Sequence, residues 1–177
     1  MRYPLLMLTI ALTALPSTAE KLDSKRLEQS RAIVEEFHKT LGGKLKAAIS
    51  EGGFVKAIDV CSEQAPALAS AIGKRHEVLV KRISDKARNP LAAADKEESN
   101  ILRQLANIHA SEKPTPLEIT TDTRYYKGIA IQPLCLACHG NALEEDVKAA
   151  LSKHYPSDKA VGYSAGDLRG AFVVEWP

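Results

Sequence analysis

A chain of 177 residues is most simply one domain, long enough to bury a real hydrophobic core. Hydrophobic residues make up 45% and charged residues 26%, ordinary proportions for a globular protein. The net charge of +2, with both signs interspersed, excludes a polybasic surface for nucleic acid or membrane.

The chain opens with an early positive charge at Arg2, an apolar run from Leu5 to Leu15 and the small residues Ser17 and Ala19. This is the pattern of a secretory signal peptide over residues 1–19, cleaved after Ala19. The alternative, a membrane anchor, needs a longer apolar run. The expected mature chain, 20–177, is one exported, periplasmic domain with no membrane span. Met1 and Met7 both lie in the segment expected to be removed, which leaves the mature chain without methionine.

Leu27, Val34, Phe37, Leu41, Leu45 and Ala48 recur at three- and four-residue steps, predicting an amphipathic helix over 24–49. Gly42–Gly43 should weaken it, and "SEGGF" should end it in a turn. A second helix is predicted over 54–72, with Ala57, Ile58, Cys61, Ala65, Leu68 and Ile72 inward and a kink or break at Pro66. Residues 76–84 then read as a strand. Asp95 and Glu98 form a capping-box start for a third helix whose stripe is Ile101, Leu102, Leu105 and Ile108, with "KPTP" as its stop. The Ile-, Thr- and Tyr-rich segment before Cys135 predicts two short strands, and a short helix follows over 142–153. A loop punctuated by Gly and Pro leads to a last strand with Phe172, Val174 and Trp176 on one face. The predicted class is α+β, a small antiparallel sheet flanked by helices.

Cys135, Cys138 and His139 form C-x-x-C-H, the attachment signature of c-type haem. Two thiols one turn apart add to the porphyrin vinyl groups, and the adjacent histidine falls under the iron. A Cys135–Cys138 disulfide suits an exported protein but leaves His139 as coincidence. A structural zinc site needs a second ligand pair, which the chain lacks. The expectation is one haem c.

With methionine gone, the second axial position falls to His38, His76, His109, His154, Cys61, a lysine or nothing. His154 is nearest the motif in sequence. Cys61 is the odd cysteine of an exported protein, on a predicted inward face. A buried structural thiol and a thiolate ligand are evenly balanced on chemistry alone.

The blocks "AIDVCSEQAP" (57–66), "KRISDKARNP" (81–90), "CLACHG" (135–140) and "YPSDKAVGYSAGDLRGAF" (155–172) resemble, in this order, a family of bacterial single-haem c-type domains with a PAS-like fold. Members stand alone in the periplasm or serve as the sensor part of signalling proteins. The resemblance spans nearly the whole mature chain. It implies a PAS-like small antiparallel sheet, long N-terminal helices, haem on Cys135 and Cys138, and His139 and Cys61 as axial ligands. Ala92 and Ala94 depart from the family's "RNPxNxP" pattern, which bears on that loop and on no ligand. Arg82, Arg88, Lys159, Tyr163 and Arg169 lie in the resembling blocks and are candidate partners for the haem propionates.

Two functions follow as expectations. One is a redox or small-ligand sensor, in which reduction weakens the iron–thiolate bond and the helix carrying Cys61 moves, read by a separate periplasmic partner. The other is an electron-transfer cytochrome. An enzyme is not expected, since no distal His/Arg pair is evident.

Overall fold

The computed structural model describes residues 22–111 and 116–177. The predicted signal segment, and most of the "KPTP" stop, lie outside the described residues. Among those described, no helix is long and apolar enough to cross a membrane.

Helix α1 runs from Ser24 to Asp59, its first turn capped by the Asp23 carboxylate accepting from Arg26 N–H. The predicted turn at "SEGGF" is a kink inside this element. Gly53, at φ 70° and ψ −164°, turns the axis with a backbone conformation that a side chain would strain. Gly42–Gly43 remain helical, contrary to their expected weakness, because Leu41 and Leu45 on either side pack inward. A π turn, Val60–Gln64, joins α1 to α2, Ala65–His76. The Ala65 N–H reaches back to the Val60 carbonyl. This wider turn absorbs the missing N–H of Pro66, which stands in the first turn of α2 and breaks nothing. Helix α2 outlasts its predicted end and closes on Glu77, the one non-glycine residue with positive φ among those described.

Strand β1, Leu79–Ile83, is followed by a 3₁₀ turn, Pro90–Ala92, and helix α3, Lys96–Ala110, with the expected capping box. Strands β2, Glu118–Thr120, and β3, Arg124–Ala130, form a hairpin. A 3₁₀ turn, Pro133–Cys135, runs into the single-turn helix α4, Leu136–His139. Helix α5, Glu145–His154, and strand β4, Leu168–Glu175, complete the chain. The sheet is antiparallel in the order β1-β4-β3-β2.

Alternation along the strands divides the core. Val80, Tyr125, Phe172 and Val174 pack against Ile33, Val34, Phe37 and Ile72 of α1 and α2, with Trp176 alongside. Ile83, Tyr126, Ala171 and Val173 pack on the other face against Ile101, Leu102 and Leu105 of α3. The architecture is thus α+β and PAS-like, as expected. Where β3 and β4 part, the register slips by one residue: Ile129 pairs with Gly170, but Ala130 pairs with Leu168. The resulting bulge leaves Arg169 unpaired and turns it toward the loop after β1. Gly170 permits this approach, since a Cβ there would lie 2.2 Å from the Ile83 carbonyl oxygen.

Candidate functional site

Beyond the bulge, Pro133 starts the helical turn that presents Cys135, Cys138 and His139. The two thiols diverge. Cys135 packs beside Ile131, Ala160 and Tyr163, whereas Cys138 packs with Ile58 of α1, Val147 and Leu151 of α5, and Tyr155. All three cysteines are free and half-buried.

The loop 155–163 wraps the motif. Tyr163 N–H donates to the His139 carbonyl and Gly162 N–H to the Gly140 carbonyl, both at 3.0 Å. The His139 ring is fixed by its Nδ1, 2.7 Å from the Ala160 carbonyl oxygen, and stands edge-on to Tyr163. Because a carbonyl only accepts, Nδ1 carries the proton and Nε2 keeps its lone pair for a ligand bond. Burial, then the charges of Arg88 and Arg169, push the imidazole down to about 3, so it is neutral at physiological pH.

Arg88 anchors the loop. Its Nε donates to Asp158 Oδ2 at 3.0 Å, and its Nη2 donates to the Cys138 carbonyl at 2.5 Å and the Ala160 carbonyl at 3.2 Å. Asp158 Oδ1 in turn accepts from Ala160 N–H. Arg169 donates to Ser84 Oγ and the Lys86 carbonyl, and its guanidinium lies 5.5 Å from the Tyr163 ring centre. Lys159 bonds through its backbone N–H to Ala87, with its side chain exposed.

Cys61 sits on the π turn, near enough to Cys138 for their charges to interact. Burial pushes its thiol up, while Arg82, Arg88 and Arg169 oppose the rise. Arg82 projects from β1 on the face of Val80 and Phe172, over the Phe37 ring. It has no hydrogen-bonded or ion-paired side chain among the described residues. Burial pushes its own value down, against the stabilising charges of Cys61 and Tyr155. The sequence-predicted site residues therefore converge, Lys159 excepted, and among the described residues Asp158 is the one acid bonded into the group.

The remaining histidines are engaged elsewhere. His38 lies edge-on to Phe172, His76 pairs with Glu36, His109 bonds the Gly166 carbonyl, and His154 stands 3.1 Å from Asp59. Sequence reasoning did not single out Tyr155, Asp158 or the Ala160 carbonyl. All three sit in the 155–172 block, but only the folded loop reveals their contacts.

Fold and site together define the class: a PAS-like α+β domain that gathers three thiols and one imidazole beneath a group of arginines at one end of its sheet. The chain belongs to the Tll0287-like family, whose profile matches residues 15–177. Among solved structures it is similar to the cyanobacterial heme-protein Tll0287, at 25% identity and a TM-score of 0.66, over 88% of this chain and 97% of that one. No curated protein matches the chain.

Proposed function

We propose that this chain binds one haem c through Cys135 and Cys138, with His139 and Cys61 as axial ligands, and that it is an exported sensor of redox state or a small ligand. The observation that carries the reading is the convergence of Cys61, on its π turn, with the C-x-x-C-H turn beneath Arg82, Arg88 and Arg169. The donor set fits the group: three sulfurs free of disulfides, a neutral imidazole with one nitrogen held by a carbonyl, and cations for two carboxylates. Family membership and the heme-protein neighbour support the same choice.

When bound, haem supplies an iron centre that changes oxidation state and can accept an outside ligand where a protein ligand departs. The chain's residues set the terms. Cys135 and Cys138 tether the group, and the Ala160 carbonyl orients His139. Arg82, with no acidic partner among the described residues, balances the Cys61 thiolate or a propionate. Arg88 is committed to Asp158 and two carbonyls, so it serves the site by holding the loop. Tyr163 and Arg169 wall the side beside His139. Residues 1–19 act as the signal peptide of this reading, and 20–177 as the periplasmic domain. Its role in this reading is binding rather than catalysis, the sequence offering no evident distal His/Arg pair.

The half-buried motif favours electron transfer as the second reading, because electron exchange needs an exposed haem edge. Optical spectra of the purified holoprotein, oxidised and reduced, with and without carbon monoxide, decide between them. A sensor shows thiolate ligation when ferric and opens to carbon monoxide on reduction; an electron carrier stays six-coordinate. Cys61→Ala should abolish the thiolate features and raise the midpoint potential. An unchanged spectrum would remove Cys61 from the iron, and a colourless mature protein would end the haem reading.

A further inference from the structure

We infer that His154 is a positioning residue for Cys61, clasping the turn that carries the thiol. The inference rests on the reading of Cys61 as an iron ligand. His154 lies in the last turn of α5, with Nε2 3.1 Å from Asp59 Oδ1 and Nδ1 3.5 Å from Ser62 Oγ. The Ser62 hydroxyl donates to the Asp59 carbonyl at 3.1 Å. That donation uses the one hydroxyl proton, so the Nε2–Asp59 bond carries the clasp, and the ring lies against Ser62 on the far side of Cys61.

The turn is packed at its start, where Val60 meets Ala48 and Ala57 of α1, and is less restrained beyond Cys61. Upstream lies the Gly52–Gly53 kink, and downstream Pro66 contributes no backbone donor. Glu63 and Gln64 are exposed. Among the described residues, the His154 clasp is the sole side-chain hydrogen bond or ion pair joining residues 59–64 to another element. Helix α5 is itself fixed beside the motif, because Val147 and Leu151 pack in one cluster with Ile58, Tyr155 and Cys138. The clasp therefore couples the turn bearing the third thiol to the helix that follows the attachment motif.

Its partners are partly solvated, His154 at 24% and Asp59 at 52% side-chain exposure, so the contact adds little to global stability. Its effect is local. A movement of Cys61 would draw Asp59 and Ser62 from α5, and the His154–Asp59 bond would resist it. It sets how readily the thiol is released.

The test uses holoprotein carrying His154→Ala, His154→Gln, Asp59→Ala or the double alanine variant, with Lys153→Ala on the same helix as control. Carbon monoxide association with the reduced protein and amide hydrogen exchange over 60–64 are measured with the thermal midpoint. His154→Ala should speed both by about fivefold, at an unchanged midpoint. His154→Gln, whose amide can replace the Nε2 donor, should restore wild-type rates. Asp59→Ala should match His154→Ala, and the double variant should add nothing. Wild-type rates in His154→Ala, in protein that shows thiolate ligation, overturn the clasp. So does a fall in the midpoint as large as a core truncation gives, since His154 would then be structural. If the wild type shows no thiolate ligation, the Cys61 reading fails instead, and exchange over 60–64 still judges the clasp separately.

Discussion

His139 illustrates how much of a residue's chemistry its neighbours decide. A histidine beside two cysteines reads as a candidate ligand, but the carbonyl that sets its tautomer belongs to Ala160, twenty-one residues on. Glu118 shows the same dependence away from the site. Its carboxylate accepts from Arg31 of α1 and, at 2.8 Å, from the Tyr125 hydroxyl. Arg31's hydrogen bond, helped by Tyr125, holds the carboxyl below its ordinary value against the opposing effect of burial. A carboxyl depressed in the folded state contributes stability above its unfolded value, and loses it as pH falls through the folded one. Glu118→Gln should therefore be less stable than wild type at pH 7. The difference should shrink toward zero as urea titrations move below the usual carboxylate range.

Elements followed their periodicity where it was strong and departed from it where glycine or proline had more than one outcome. The stripe and capping box of α3 were plain in the sequence, and Asp95 and Glu98 bond as expected. The two glycine pairs of α1 look alike in one dimension, yet one pair is helical and the other holds the kink. The difference is tertiary: α1 must bend at Gly53 for Phe54 and Ile58 to join the α5 cluster. Gly43→Ala should stabilise the fold by about 0.8 kcal/mol, since the site is helical and nothing lies within 4 Å of the added methyl. Gly53→Ala meets no clash either, but at φ 70° it should cost about 2 kcal/mol. Paired urea melts separate the two. The π turn had no sequence signal beyond Pro66.

At the scale of the molecule, the site is a junction of distant segments. Arg88 joins the loop after β1 to the motif fifty residues on and to the wrapping loop beyond it. Its ion pair with Asp158 is nearly dry, at 10% and 12% side-chain exposure. Arg88→Ala strands that carboxylate and two carbonyls, and should cost about 3 kcal/mol in urea unfolding of the haem-free chain. Arg88→Lys should recover part of it, because an ammonium keeps the charge but not the fork. If Arg88→Ala is as stable as wild type, the loop is held by other means.

The sequence by itself determined the C-x-x-C-H motif, the odd third thiol, the α+β order of elements and the alternation of the final strand. Each is local, a matter of spacing along the chain or of side-chain periodicity against water. The tertiary structure alone decided which arginine was spent on the loop and which was left facing Cys61, and that His154 meets Asp59 rather than the motif. Those outcomes depend on a slipped register, one glycine kink and a widened helical turn, whose effects appear only when segments far apart in sequence are packed together.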